Sequence, residues 1–326
     1  MSVLLNEKKV IVTGGLGFIG HNLVKALIDR FNCNVVVIDN CSNSNPTVLN
    51  EYKDRFLFLQ ADVLNVEDYS DHIIDSDYIF HLACSHISAS TQNPEHDLNV
   101  NALSTLRILN YLKQNNSEKL VRFITASSSS VYGNMGNHDS PFDESAPPDI
   151  LNNYAATKLL SEHYALLYST KNNIPVTILR YSNVYGYGQS FDNRFCGVLG
   201  MFIHNGLKGV NLKIIGDGEQ TRDYTFVDDA VNATILASTS DNALNEVFNV
   251  GTGRETSINK IVSIIKNLIP DTETEKLSKR DIDNITRRCI SYEKAKQKLN
   301  WEPAVDVENG IELTINWYKN YLNTAN

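Results

Sequence analysis

Tyr154 and Lys158 lie four residues apart in Asn152-Asn-Tyr-Ala-Ala-Thr-Lys158, and a serine run, Ser127 to Ser130, precedes them. On a helix, residues i and i+4 share a face. A phenol held beside a fixed ammonium ionises more easily than the free side chain. Bringing it from about 10 to about 7 takes roughly 4 kcal/mol, at about 1.36 kcal/mol per unit. One ammonium and a second nearby positive charge in a partly dry cleft are enough for that. The pair is then a general base poised for neutral pH, with a serine hydroxyl to assist it. Taken alone the spacing is common on solvated helix faces, so its weight depends on what else the chain binds.

The N-terminus predicts a dinucleotide. Lys9-Val-Ile-Val-Thr13 reads as a buried strand, followed by Gly14-Gly-Leu-Gly-Phe-Ile-Gly20 and a helical stretch from His21 to Arg30. Glycines at 15, 17 and 20 satisfy G-x-G-x-x-G, and those at 14, 17 and 20 the looser G-x-x-G-x-x-G. Such glycines allow a tight turn and close backbone approach, so that a pyrophosphate rests on the helix N-terminus. A second strand, Asn34 to Ile38, ends in Asp39, nineteen residues past the last glycine. A carboxylate there grips a ribose 2′-hydroxyl and repels a 2′-phosphate, and no arginine follows at once. The expected cofactor is NAD, not NADP.

With 326 residues, 42% hydrophobic and 21% charged, the chain has the composition of an ordinary globular protein of one large or two smaller domains. The net charge of −9 and the lack of a long basic run argue against nucleic acid. Five cysteines, at 33, 41, 84, 196 and 289, are odd in number and contain no C-x-x-C. That usage suits a reducing compartment and predicts no metal site. The first residues run straight into a strand, predicting no secretory leader, and no apolar run reaches membrane-spanning length. The expected location is the cytoplasm.

Along the chain, short β-rich runs at 9–13, 34–38, 56–59, 78–82, 120–126 and 176–180 alternate with helical patterns near 19–30, 66–74, 97–115 and 153–171. This alternation predicts an α/β fold, a Rossmann-type doubly wound parallel sheet. Polar stretches at 40–46 and 133–152 read as loops. After about residue 181, glycines, aromatics and longer loops replace the alternation. A helix at 227–238 and a strand at 246–250 read as a return to the sheet, and 255–326 as two or three helices with a charged loop at 271–288. The expected domains are 1–180 plus 227–254 for NAD, and a smaller, discontinuous α/β domain, 181–226 plus 255–326, for substrate. The glycine loop, Asp39, Asp62-Val63, Ala83-Cys84 and the serine run all follow expected strands and so open on one edge of the sheet.

These pieces resemble the extended short-chain dehydrogenase/reductase family, in its NAD-dependent nucleotide-sugar epimerase/dehydratase branch. The resemblance rests on Thr13-Gly-Gly-Leu-Gly-Phe-Ile-Gly20, Asp39-Asn40, Asp62-Val63, His81-Leu-Ala83, Ser127-Ser-Ser-Ser-Val-Tyr-Gly133, Tyr154-x-x-x-Lys158 and Arg180-Tyr-Ser-Asn183. It continues through Gly216-Asp-Gly-Glu-Gln-Thr-Arg222-Asp-Tyr-Thr-Phe-Val-Asp-Asp229, Phe248-Asn-Val-Gly-Thr-Gly253 and Trp301-Glu-Pro303. It implies that Gly14, Gly17, Phe18, Ile19 and Gly20 meet the pyrophosphate, and that Asp39, Asn40, Asn43 and Ser44 meet the adenosine ribose. Asp62 and Val63 would border the adenine. Leu82, Ala83, Cys84, Asn99, Ser127 and Tyr181 would complete the cofactor site. Tyr154 and Lys158 would be the catalytic pair, with Lys158 also on the nicotinamide ribose and Ser128 on the sugar hydroxyl that is oxidised. Asn183, Arg222, Arg280 and Asp283 would bind the nucleoside diphosphate. The usual Arg-Pro-Gly-Asp reads Arg280-Asp-Ile-Asp283 here.

Related dehydratases carry an Asp-Glu pair, and related UDP-glucuronate decarboxylases a glutamate, where this chain has Ser129 and Ser130. A hydroxyl is a poor substitute for an acid that protonates a leaving group. The serine pattern is that of 4-epimerases. The expected reaction is therefore 4-epimerisation of a UDP-linked hexose, N-acetylhexosamine or hexuronate through a transient 4-keto sugar. A dehydratase or decarboxylase is the alternative within enzymes, and a non-catalytic NAD-binding protein the alternative outside them. Arg287, seven residues after Arg280, falls near the family's sugar-pocket position, where an arginine could meet a hexuronate carboxylate; the adjacent Arg288 leaves the register open. The family also implies a homodimer through the helices at 97–115 and 153–171.

Overall fold

The structure, a computed structural model, describes residues 4–115, 118–189, 197–278 and 285–324. The first half lays down β1 (Lys9–Thr13), α1 (Phe18–Phe31), β2 (Asn34–Asp39), β3 (Phe56–Gln60), α2 (Ser70–Ile74), β4 (Tyr78–His81), α3 (Ile87–Gln92) and α4 (Pro94–Leu98). It continues with α5 (Ser104–Gln114), β5 (Arg122–Ser128), α6 (Asn153–Asn172) and β6 (Val176–Tyr181). The second half adds β7 (Asn183–Tyr185), α7 (Val198–Leu207), β8 (Leu212–Ile215), β9 (Thr221–Arg222), β10 (Tyr224–Phe226) and α8 (Val227–Thr239). Last come β11 (Glu246–Val250), β12 (Thr256–Ser257), α9 (Ile258–Leu268), β13 (Thr274–Leu277), α10 (Glu293–Leu299) and α11 (Val307–Thr324).

Seven strands form one parallel sheet in the order β11-β6-β5-β4-β1-β2-β3. The strand expected at 246–250 does return to the sheet, beside β6. The order reverses between β1 and β4, which is where ligands bind in such sheets. β1 shows why the strands read as apolar runs and not as alternation: Val10 and Val12 belong to one core and Ile11 to another on the opposite face. One core holds α1, α8 and α10 against the sheet; the other holds α5 and α6. A third core, around Tyr185, Phe202, Tyr224, Phe226, Ile261 and Ile315, is built from the later elements alone.

Three local readings differ from expectation. The charged segment 271–288 contains β13, which pairs in parallel with β8. All four of its residues are exposed, so polarity hid the strand. Ala295, Leu299 and Trp301 pack with the sheet core and not with the third one, so the C-terminal stretch is shared between cores. The helix expected at 97–115 is broken into α4, a π-turn over Asn99–Leu103, and α5.

Candidate active site

The loops after β1, β2, β4, β5 and β6 open into a cleft of about 1460 Å³. Its floor is set by glycines. Gly14 has φ +67°, and a Cβ there would stand 2.7 Å from the Ala83 amide nitrogen, so only glycine lets the β1 and β4 loops meet at the switch point. A Cβ at Gly20 would collide with the Gly14 carbonyl oxygen, fixing the close approach of α1 to the turn. α1 begins at Gly17 with no side chain capping it, so its first-turn N–H groups are open to an anion. At the end of β2, Asp39 is buried and accepts from the Leu16 amide (3.1 Å), the Cys41 amide (2.9 Å) and Ser44 Oγ (2.8 Å). These donors fix the carboxylate at the cleft wall. A helix N-terminus, a glycine cradle and a held carboxylate together fit a dinucleotide, and Asp39 disfavours a 2′-phosphate.

Helix α6, which carries Tyr154 and Lys158, is held from both sides. Asn152 caps α6, accepting from the Ala155 amide at 2.9 Å. Thr157 donates to Asp97 Oδ2 at 2.7 Å, and Asn101 donates to Asp97 Oδ1 at 2.7 Å. Asn101 Oδ1 in turn takes the Ser85 amide at 2.8 Å, so one fully buried carboxylate joins α6 to the β4 loop. On the other side Glu162 receives Ser127 and a bidentate pair from Arg180 at 2.9 and 2.6 Å. Arg180 also donates to the Tyr132 hydroxyl at 2.7 Å, which donates to Asn249 Oδ1 at 2.8 Å. α6 is therefore placed against β5 by two networks, and in the second the charges of Glu162 and Arg180 are matched.

Lys158 is buried, and its Nζ donates to the Ala126 carbonyl at 3.0 Å, 5.8 Å from the centre of the Tyr154 ring. Tyr154 hydrogen-bonds Ser128. Ser128 Oγ lies 3.1 Å from Ser130 Oγ, which receives Arg288 Nη1 at 3.1 Å. A chain of hydroxyls thus links a guanidinium to the phenol, and each hydroxyl hydrogen can turn toward the phenolate. The expectation that Lys158 and a second positive charge bring the phenol down is joined here by two further groups. Burial, then the neighbouring Cys84, pushes the Tyr154 phenol up, and the opposing pull comes from the Ser128 hydrogen bond and the Arg288 charge.

Of the residues singled out from sequence, Gly14, Gly17, Phe18, Ile19, Gly20, Asp39, Asn40, Asn43, Ser44, Val63, Leu82, Ala83, Cys84, Ser127, Ser128, Tyr154, Lys158, Tyr181, Asn183 and Arg222 all line the one cleft. Asp62 does not line it; it turns to Asn40 Nδ2 (3.2 Å) and the Leu64 amide (2.9 Å), bracing the loop after β2. Asn99 is off the lining too, and Asn101, two residues on, is the buried asparagine that meets the β4 loop. Ser127 commits its hydroxyl to Glu162, leaving its backbone to the cleft. Arg280 and Asp283 lie outside the described residues. Arg287 pairs with Glu255 at 2.6 Å and with the Gly136 and His138 carbonyls, whereas Arg288 lines the cleft. Asp97, Asn101 and Glu162 carried no motif that sequence reasoning could weigh, and Arg288 entered only as the neighbour that left the register of Arg287 open.

A parallel sheet with this glycine cradle, acid and Tyr-Lys pair on one edge defines a dinucleotide-dependent α/β protein. The profile described as the NAD dependent epimerase/dehydratase family matches residues 10–251. The UDP-glucose 4-epimerase of Mycolicibacterium smegmatis is 31% identical over 96% of this chain and 99% of its own length. The UDP-N-acetyl-alpha-D-glucosaminuronate decarboxylase of Bacillus cytotoxicus is also 31% identical, over 96% of this chain and 98% of its own. The crystal structure of UDP-glucuronic acid 4-epimerase from Bacillus cereus, in complex with UDP-glucuronic acid and NAD, superposes with a TM-score of 0.86 at 31% identity, covering 96% of this chain and 99% of that one. This chain belongs to the NAD dependent epimerase/dehydratase family, and NAD is its cofactor.

Proposed function

We propose that the protein inverts C4 of a UDP-linked sugar through a transient 4-keto intermediate, without net oxidation. The observation that carries this reading is what faces Tyr154. Ser128, Ser130 and Arg288 surround it, and the carboxylates among the described lining residues, Asp39 and Glu51, belong to the segments after β2. Elimination of water needs a positioned acid beside the reacting carbons. Hydroxyls and a guanidinium instead suit proton removal from an alcohol and polarisation of the ketone that results.

NAD bound on the glycine loop, with Asp39 at its ribose, supplies an acceptor for the C4 hydride and its return to the opposite face. Tyr154 takes the proton of the C4 hydroxyl, and Ser128 steadies that oxygen. Lys158 adds positive charge behind the phenol and would hold the nicotinamide ribose. Arg222 and Asn183 hold the nucleotide while the keto sugar turns over about its diphosphate link. Tyr154 then returns the proton to the inverted alkoxide. Decarboxylation is the second reading, favoured by the decarboxylase relative and by the guanidinium at Arg288.

Incubation with UDP-glucose, UDP-N-acetylglucosamine and UDP-glucuronate, followed by mass spectrometry and NMR, separates the readings. An isomer of unchanged mass with C4 inverted supports epimerisation. Loss of water or of carbon dioxide supports the other two reactions, and no turnover by NAD-loaded protein favours a binding protein.

A further inference from the structure

Asp223 has no task in the scheme above. It is only 2% exposed, and among the described residues every bond to its carboxylate comes from a neutral donor. It stands between Arg222 and Tyr224. Successive side chains of an extended segment point to opposite faces, so those two line the cleft and Asp223 turns away behind them. Oδ1 accepts the Thr252 amide at 2.9 Å and the Thr252 hydroxyl at 2.6 Å. Oδ2 accepts the Gly253 amide at 3.2 Å, the Ile290 amide at 3.3 Å and the Cys289 thiol at 3.8 Å. Room for it is built in, because a Cβ on Gly251 would stand 2.6 Å from Oδ2. The main chain adds two ties: the Asp223 amide donates to the Arg288 carbonyl at 3.1 Å, and its carbonyl accepts the Asn183 amide at 3.0 Å. One residue thus joins the segments that carry Asn183, Arg222 and Arg288, all of which line the cleft.

We propose that Asp223 is a positioning residue for the nucleotide: its carboxylate fixes Arg222 and Asn183 at the spacing a diphosphate requires. The proposal rests on the reading that these two side chains hold the nucleotide, and adds what sets their geometry. Burying a carboxylate without a cation is costly, and an apolar side chain would fill the space without that cost. What the carboxylate adds is direction, since its two oxygens draw three backbone amides from two separate segments onto β9–β10. Burial raises this carboxyl to about 6, so mild acid removes the charge and puts a hydrogen among those donors. The ionisable groups around it stay fixed from pH 7.5 to 5. Arg222 is an arginine and keeps its charge. Arg288, pulled down to about 9, keeps its own. Burial and Asp223 itself push the Cys289 thiol up, so it stays neutral. Glu255 is held down by Arg287 and stays ionised.

The test is calorimetry with UDP on the wild type, Asp223→Asn and Thr252→Val, each loaded with NAD, at pH 7.5 and pH 5. Asparagine keeps the shape but turns N–H groups toward N–H groups. We expect Asp223→Asn to weaken UDP by about 10- to 100-fold at pH 7.5, and Thr252→Val, which removes one donor, by about threefold. Both should retain NAD as the wild type does, because the glycine loop and Asp39 make no bond to this network. At pH 5 the wild type has largely lost its own carboxylate. Its advantage over Asp223→Asn should then shrink about five- to tenfold, and the titration of UDP cancels in that ratio. Equal binding by Asp223→Asn overturns the proposal, and tighter binding does too, since the carboxylate would then act only as a charge against the diphosphate. A gap that stays constant with pH, or a loss of NAD that parallels the loss of UDP, also overturns it and marks a purely structural role. Should Asp223→Asn not fold, Thr252→Val decides, and unaltered UDP affinity there rejects the proposal. A wild type that binds no UDP overturns the nucleotide reading as well, whereas wild-type binding with no effect of Asp223→Asn overturns the positioning alone.

Discussion

At the scale of single residues, the account depends on how the Tyr154 phenol is activated. Burial raises Tyr154, so its activation falls to Ser128, Arg288 and the charge that NAD brings. Tyr154→Phe keeps the ring and removes the hydroxyl. It should lower kcat by about 10²- to 10⁴-fold with NAD still bound, because a positioned proton acceptor typically contributes that much; near-normal turnover would refute the role. Asp39→Ala should loosen NAD and erode its preference over NADP, as measured by cofactor retention and titration, since three donors now hold that carboxylate at the ribose end. Unchanged discrimination would place the selectivity elsewhere. Tyr154 and Lys158 were legible because helical spacing fixes which residues share a face. Arg288 was not. In an extended segment neighbouring side chains point opposite ways, so Arg287 meets Glu255 while Arg288 enters the cleft, and a one-residue ambiguity becomes a wrong side.

At the scale of elements, the strands and the long helices were readable because β1, β2 and α6 each bury a regular pattern against a layer. What polarity and local distortion decide was not. β13 is wholly exposed, and the π-turn over Asn99–Leu103 advances the register so that Asn101 rather than Asn99 meets the β4 loop. His81, at the end of β4, joins three elements: its Nδ1 lies 2.8 Å from Thr13 Oγ1, and its Nε2 lies 3.0 Å from Thr105 Oγ1 and 3.2 Å from Ser104 Oγ. Burial lowers its imidazole to about 3 from the usual 6.5. The folded state thus keeps it neutral while the unfolded chain protonates it below 6.5. Its contribution is complete above that pH and is lost as the pH falls toward the folded value, at about 1.4 kcal/mol per unit. Asp223, raised by burial to about 6, works in the opposite direction, so the wild-type slope alone does not isolate the histidine. The difference between wild type and His81→Gln does. In denaturant titrations their stability gap should narrow by about 2 kcal/mol from pH 6.5 to 5, and a constant gap would show that His81 does not titrate.

At the scale of the whole molecule, three large cores and the cleft divide the labour: two cores fix the sheet whose edge carries NAD, and the third holds Tyr224, which lines the cleft with Arg222. Outside them, Leu98, Leu160 and Leu167 leave an apolar stripe on α4 and α6, whereas Leu159 and Leu166 turn inward. We expect the stripe to close in a homodimer through these helices. Sedimentation should give a dimer at micromolar concentration and a monomer for the Leu160→Asp, Leu167→Asp pair; a monomeric wild type would reject it. The central claim is that hydride leaves C4 and returns to the same carbon on its other face. It is tested most directly with UDP-glucuronate and UDP-glucose deuterated at C4, followed by NMR in ordinary water. The account predicts a C4-inverted product of unchanged mass that keeps its deuterium at C4. Deuterium lost to solvent, moved to another carbon, or found in a product that has shed water or carbon dioxide would contradict it.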